Sequence, residues 1–364
     1  MGKKILCIID TFKIGGGAQT QLAGLSVMLK KFGYDVTAVS YHDVAPEQSF
    51  EPYLTQNGVG YICLKDVNNM YQKFRGVKQI IDSIKPDTVV AYLDGPTAIC
   101  SILKILGGQF RLIVSERNVT QKLNIKEFVK FQLYRFADKV VPNAFSQESF
   151  IKTRFSFLAN KVQTISNFVD TNKFQCSSVI DVESHKTLNI LVVARVNPQK
   201  NVLRFIDAID ILKRKGLDFH VSWFGQKTDD YHHQCMSKIN SLCVGSYITF
   251  YSAIKDINKT YSDSRYDVFC LPSIFEGCPN TIAEAMSSGL PILCSNVCDN
   301  AIYVENEING FCFNPHDSMN IAETIISFAN VDYNKRMQMR KQSRQRAVAL
   351  FSEDSFLKKY LDIL

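Results

Sequence analysis

The sequence predicts an α/β protein built as two doubly wound, Rossmann-like domains with parallel sheets. Three observations carry this. Short apolar runs of strand length alternate with segments of helical periodicity in both halves of the chain. The 364 residues suffice for two substantial cores. A polar, unpatterned stretch at 175–187, CSSVIDVESHKTL, interrupts the alternation and has the composition of an interdomain linker.

Composition narrows the class. Hydrophobic residues make up 46% and charged residues 21%, the balance of a globular protein. No apolar run approaches the roughly 20 residues needed to cross a bilayer. The start, MGKKILCIID, imitates a signal peptide, but its apolar run stops at Asp10 and suits a first buried strand better. The 11 cysteines include no C-x2-C pair, so reduced thiols and a cytoplasmic location are expected. Residues 1–170 hold 21 Lys+Arg against 14 Asp+Glu, whereas the remainder holds 21 of each. A basic half suggests an anionic partner, such as the inner face of a membrane. No helix-turn-helix, zinc finger or RNP signature supports nucleic acid.

The elements follow in order. Lys4 to Asp10 is a strand, followed by a glycine loop and a helix with Leu22, Leu25, Leu29 and Phe32 on one face. Tyr34 to Ser40 is the second strand. Helix 76–84, strand 88–93, helix 96–106 and strand 110–115 continue the pattern. Gly15 and Gly17 lack the third glycine of a dinucleotide fingerprint, because position 20 is Thr. In helix 124–136, Lys126, Lys130 and Arg135 alternate with Phe128, Phe131, Leu133 and Tyr134. Such a helix either covers the sheet or lies on an anionic membrane surface. The first domain is expected over 1–174.

The second domain, 187–349, opens with LNILVVARV. Helix 202–215, strand 218–224, helix 232–243 and strand 247–251 follow, and a later helix spans 318–329. Arg195 and Lys200 flank a turn containing Pro198 just past a strand. Two cations at the carboxyl end of a strand suit a diphosphate, and solvated surface is the plain alternative. From Asp267 to Ser295 the chain predicts a strand, a Gly/Pro loop, a helix and a strand. Backbone N–H groups at that helix start favour an anion. Glu276 in the loop and Glu284 in the helix can accept hydrogen bonds from sugar hydroxyls. The local alternative is a capping box between Thr281 and Glu284.

The segment PSIFEGCPNTIAEAMSSGLPIL closely resembles the E-x7-E motif of retaining glycosyltransferases of family 4, which have the GT-B fold. The resemblance is strongest over 187–315 and weaker over 1–170. It implies two facing domains with the active site in the cleft, and a terminal helix, about 350–364, returning to the first domain. It places Glu276 on the donor sugar, Glu284 on the ribose, and the backbone of Gly277, Cys278, Asn280 and Thr281 on the donor. ARVNPQKN resembles G-R-L-x3-K-G, with Arg195 and Lys200 at the cation positions and Ala194 and Asn201 in place of the glycines. FGQ at 224–226 and FYSAI at 250–254 resemble the walls of the nucleotide-base pocket. Gly16, Gly17 and Ala18 match the family's G-G-A-E, with Gln at position 19; Gly16 and Gly17 are implied to bind the donor, from a loop across the cleft from its diphosphate and near the acceptor.

Many members place a His on the acceptor side. Here the corresponding segments are AYLDGP and VSERN, so Asp94, Glu116 and Arg117 are the candidate acceptor-side residues. The implied reaction moves a hexose or N-acetylhexosamine from a UDP-sugar to a glycan or lipid-linked hydroxyl, with retention, in cell-surface polysaccharide or glycolipid synthesis. Arg195, Lys200 and Glu276 would carry it. No cofactor or metal is expected, because there is no D-x-D and the six His form no ligand-spaced cluster. A nucleotide-sugar epimerase and a non-catalytic sugar-nucleotide binder remain as alternatives. The broken glycine fingerprint disfavours an oxidoreductase.

Overall fold

A computed structural model describes residues 2–65, 67, 69–120, 122–176 and 187–364. Residues 177–186, most of the expected linker, lie outside the described residues. The chain divides into two units: Met1–Asn167 with Asp354–Leu364, and Phe168–Glu353.

Unit 1 contains strands β1 (Lys4–Ile9), β2 (Asp35–Ser40), β3 (Gly60–Cys63), β4 (Thr88–Tyr92), β5 (Arg111–Glu116) and β6 (Lys139–Pro142). They form one parallel sheet in the order β3-β2-β1-β4-β5-β6. Five of the six β1 residues are buried, as expected of a strand covered on both faces. Helix α1 (Gly17–Lys31) follows β1, α2 (Glu51–Gln56) precedes β3, and α3 (Met70–Ile84) precedes β4. Helix α4 (Asp94–Ile105) connects β4 to β5, α5 (Ile125–Leu133) precedes β6, and α6 (Phe145–Arg154) follows it.

Two details differ from the sequence expectation. The short edge strand β3 carries only partly covered side chains, a weak apolar signal. The segment from Lys161, for which the sequence singles out no strand, runs alongside β6: the Val140 N–H donates to the Lys161 carbonyl, and the N–H groups of Gln163 and Ile165 donate to the carbonyls of Val140 and Pro142, each at 3.0 Å.

Unit 2 repeats the plan with β7 (Leu188–Val193), β8 (Phe219–Phe224), β9 (Ile248–Tyr251), β10 (Val268–Leu271), β11 (Ile292–Ser295) and β12 (Gly310–Phe313). Its parallel order is β12-β11-β10-β7-β8-β9. Helices α7 (Val202–Arg214), α8 (Asp229–Ser241), α9 (Ile257–Tyr261), α10 (Asn280–Ser287), α11 (Asn300–Tyr303), α12 (Ser318–Ala329) and α13 (Tyr333–Phe351) complete it. Helix α14 (Glu353–Leu361) runs into the terminal segment that groups with unit 1.

Segment 168–176, expected to end in the first domain, is held by unit 2. The Val169 N–H donates to the Phe351 carbonyl at 2.8 Å. Arg344 donates to the carbonyls of Thr171, Phe174 and Ser287 at 2.9, 2.8 and 2.7 Å. All eleven cysteines are free. Among the described residues no helix is long and apolar enough to cross a membrane.

Candidate active site

In each sheet the chain starts in the middle and winds outward in both directions. A switch point therefore falls between β1 and β4 in unit 1, and between β7 and β10 in unit 2. Open α/β sheets bind ligands at the carboxyl ends of the strands there.

In unit 2 the loop after β7 and the loop after β10 are laced together. The Ile274 N–H donates to the Gln199 carbonyl at 2.8 Å, and Gln199 Nε2 donates to the Phe275 carbonyl at 3.1 Å. This lacing brings Lys200 Nζ to 2.5 Å from Glu276 Oε1. Both side chains are largely buried, at 13% and 8% exposure, so neither is loose surface charge. Arg195, in the same loop after β7 as Lys200, is exposed and makes no ion pair among the described residues. One cation is thus paired and one is open.

Asn201 occupies the position where the resembled motif has glycine. Its φ is +59°, a left-handed conformation that Asn tolerates. Its side chain donates to the Pro315 carbonyl at 2.7 Å and accepts from Arg204 at 3.0 Å. The other replaced glycine, Ala194, sits beside Gly225. A Cβ on Gly225 would lie 2.0 Å from the Ala194 carbonyl oxygen, so the FGQ turn requires glycine. Phe224 and Tyr251 stack at 4.6 Å between centroids, joining the two segments expected as base-pocket walls.

Helix α10 begins at Asn280 with Pro279 as its N-cap residue and no side-chain cap. Thr281 therefore lies inside the first turn, which removes the capping-box alternative for Glu284. Gly277 and Thr281 are partly exposed at this helix start. Cys278 is buried and accepts from the Tyr303 hydroxyl at 3.6 Å. Gly289 ends the following turn at φ +76°, as its position predicts.

Glu284 is partly buried beside Tyr261. Desolvation pushes its carboxyl up to about 7, against the Tyr261 hydroxyl and the Lys173 ammonium, which pull it down. The Tyr261 hydroxyl is buried but makes no hydrogen bond of ordinary geometry. A hydroxyl-bearing ligand at Glu284 would meet a carboxyl whose charge changes near neutral pH.

Unit 1 arranges charge differently. Gly16 is the N-cap residue of α1 and Gly17 its first residue, after Gly15 at φ +97°. Asp94 begins α4, preceded by Leu93 at φ +70°, a conformation that costs a branched residue free energy. Asp94 and Glu116 both contact Lys130, at 3.4 and 2.9 Å. Glu127 reaches the same ammonium at 2.6 Å. Burial raises the Glu116 carboxyl above its ordinary range, and Lys130 opposes it. Burial also pushes Asp94 upward, but Lys130 and Lys126 together hold it below its ordinary value.

Arg117 does not join this group. It donates to Asn167 at 3.1 Å, to Tyr360 at 2.8 Å and to the Tyr92 hydroxyl. Tyr92 and Tyr360 bond each other at 2.7 Å, so Arg117 ties the C-terminal helix to the sheet of unit 1. It lines no part of the neighbouring cavity.

The expected basic face of 124–136 is corrected at one position, Lys130, while Lys126 and Arg135 are exposed. Lys130 points inward among three carboxylates, Lys126 bonds Asp94 at 3.1 Å, and Arg135 stacks on Phe157 at 4.7 Å. Helix α5 and its flanks expose Lys122, Lys126 and Arg135 alongside Leu123, Ile125, Phe128, Val129 and Phe136. Sequence reasoning missed Lys130 as a site residue. The Glu127–Lys130 spacing signals a helical ion pair, but nothing local signals Glu116, fourteen positions earlier.

Known proteins resemble this chain in sequence and in fold. Residues 179–346 match the family model for glycosyl transferases group 1. An uncharacterized glycosyltransferase of Haemophilus influenzae is 23% identical over 99% of this chain and 98% of its own. A UDP-Gal:alpha-D-GlcNAc-diphosphoundecaprenol alpha-1,3-galactosyltransferase of Escherichia coli is 30% identical over 43% of this chain and 42% of its own. The solved structure of Anabaena Alr3699/HepE with UDP and glucose aligns at a TM-score of 0.81 and 18% identity, covering 99% of this chain and 98% of that one. The architecture is GT-B. The chain carries a glycosyl transferases group 1 domain and is of the glycosyltransferase class.

Proposed function

We propose that the protein is a retaining glycosyltransferase of family 4 type. It moves a hexose or N-acetylhexosamine from a UDP-sugar to a hydroxyl of a lipid-linked or other glycan acceptor, in bacterial polysaccharide or glycolipid assembly. The observation that carries this is the Lys200–Glu276 pair at the switch point of unit 2, with Arg195 open beside it.

Arg195 and Lys200 stabilise negative charge developing on the departing diphosphate, which is electrostatic catalysis. Because two side-chain cations can perform that task, the reaction needs no divalent metal. Glu276 accepts from hydroxyls of the donor sugar, and Glu284 accepts from the ribose. The amides of Gly277, Cys278, Asn280 and Thr281 hold the donor at the start of α10, and Gly16 and Gly17 belong to the acceptor half. The E. coli relative, named for a UDP-Gal donor and a diphosphoundecaprenol-linked acceptor, and the UDP complex of the Anabaena protein support the donor and acceptor classes. The exposed apolar residues around α5 support peripheral attachment to a membrane carrying that acceptor.

The test is incubation with a panel of UDP-sugars and diphospholipid-linked saccharides, with and without EDTA. Products are identified by mass spectrometry and their anomeric configuration by NMR. An inverted product, or activity abolished by EDTA and restored by a divalent ion, would refute the mechanism. Interconversion of UDP-sugars without an acceptor would establish the epimerase instead.

A further inference from the structure

Two of the free cysteines touch. Cys294 Sγ and Cys312 Sγ lie 3.7 Å apart within unit 2. They stand opposite each other on the adjacent parallel strands β11 and β12. We propose that Cys312 and Cys294 form an oxidation site, which a hydroperoxide converts reversibly to a disulfide. The inference is independent of the glycosyltransferase reading.

The backbone geometry admits the bond. Neighbouring strands run about 4.8 Å apart, inside the range of about 4.4–6.8 Å between Cα atoms that a disulfide allows. The sulfurs must close from 3.7 Å to about 2 Å. Strand β12 can supply that movement, because it is the outermost strand of its sheet and β11 is its one neighbour there. The Cys312 thiol also donates to the Val304 carbonyl at 3.6 Å, which holds its sulfur in place.

The two thiols take different parts. Cys294 is fully buried, whereas Cys312 is partly exposed, so a dissolved oxidant meets Cys312 first. The Cys294 thiol donates to the Cys312 sulfur, and that hydrogen bond lowers Cys312 below its ordinary value. Burial holds Cys294 well above its own. Cys312 is thus the nucleophilic thiolate, and Cys294 keeps its proton until the second step. By contrast, burial pushes Cys7 and Cys100 up to about 12, as suits thiols that only fill a core.

The chemistry balances. The Cys312 thiolate attacks the O–O bond of the peroxide, which yields a sulfenic acid on Cys312 and hydroxide. The Cys294 sulfur then attacks the Cys312 sulfur, and its proton leaves with the sulfenic hydroxyl as water. The proton that Cys312 had released turns the hydroxide into a second water. Two thiols are oxidised and one peroxide is reduced, and a reducing thiol reverses the bond by exchange.

The bridge closes residues 295–311 into a loop. That segment carries α11, whose Tyr303 hydroxyl donates to Cys278 Sγ at 3.6 Å in the loop before α10. Oxidation therefore tethers a segment that packs on that loop.

The experiment treats the reduced full chain with hydrogen peroxide, maps its cysteines by peptide mass spectrometry and traps sulfenic acid with dimedone. Wild type should give a linked Cys294–Cys312 peptide that dithiothreitol cleaves. Cys294→Ala should form no such link and should carry dimedone on Cys312. Cys312→Ser should carry none on Cys294. Cys298→Ser, which removes an exposed thiol, should link as wild type does. Amide exchange across 296–309 should slow several-fold when wild type is oxidised, because the bridge restricts local opening. Absence of the linked peptide in wild type, linkage of Cys312 to another cysteine, or dimedone on Cys294 in Cys312→Ser would each overturn the inference. Unchanged amide exchange in the linked protein would overturn the tether. If Cys294→Ala does not fold, the wild-type map decides alone.

Discussion

The two units share one strand order and differ in how charge is set at the strand ends. Unit 2 holds a single buried pair, Lys200 with Glu276, and leaves Arg195 open. Unit 1 surrounds one lysine with three carboxylates, and Lys122 lies exposed on the same wall. The scaffold supplies a crevice in both cases, and the residues after the strands decide what enters it. An open cation and a helix start suit an anion. The first 170 residues are the basic ones by count, 21 against 14, yet the cavity after β4 and β5 mixes Asp94, Glu116 and Glu127 with Lys122 and Lys130. Net charge of a segment therefore says little about its site.

The sharpest way to break this contrast is to remove the cations of unit 2. Arg195→Ala and Lys200→Ala should each lower turnover roughly 10²–10³-fold at saturating donor. Lys200→Ala should also lower the melting temperature, because it leaves Glu276 buried without its partner. Near-normal turnover in both would remove the diphosphate role.

Glu276 and Glu284 should then differ in kind. Glu276→Ala should spare UDP affinity and cripple transfer. Glu284→Gln should weaken UDP about tenfold above neutral pH, where the wild-type carboxylate is charged. The sign follows from a carboxyl raised from 4.5 to about 7. Wild-type UDP affinity should tighten as pH rises through 7, and Glu284→Gln should be flat. Stability runs the other way. A raised carboxyl binds protons more tightly when folded, so wild type loses stability from about pH 4.5 to 7 relative to Glu284→Gln. Titration calorimetry and thermal melts across that range check both.

In unit 1, vesicle co-sedimentation tests the exposed face of α5. Paired Ile125→Asp and Phe128→Asp should lower binding roughly fivefold, since partial burial of apolar side chains drives it. Salt should weaken binding only in part, because Lys130 is internal while Lys126 and Arg135 stay exposed. Strong salt dependence would assign the binding to the exposed cations instead, and no binding to vesicles would return α5 to sheet cover.

The smallest expected effect is Asn201→Gly. Glycine suits φ +59°, but the bonds to Pro315 and Arg204 disappear, for a loss of about 1 kcal/mol in denaturant unfolding.

Much of the fold was legible because its signals are local. Apolar runs marked β1, β4, β5, β7 and β10, and Gly289 with Pro291 marked the end of α10. The short edge strand β3 was not legible, because its four residues are only partly covered. The spacing of Arg195, Lys200, Glu276 and Glu284 was likewise on the page.

The sequence by itself determined the alternation of elements, the positions of the strand-end loops and the residue types they carry. The tertiary structure alone decided which charges meet. Lys200 finds Glu276 across 76 positions because Gln199 laces the two loops. Thr281 does not cap α10, because the helix begins one residue earlier. Arg117 is a strut because two distant tyrosines converge on it. Lys130, on a helix whose pattern permits either a wet or a covered face, turns inward because Glu116 lies on the adjoining strand. Periodicity fixes which residues share a face of a helix, but the neighbour that face meets is set by chain topology. The free energy of a charge depends on that neighbour.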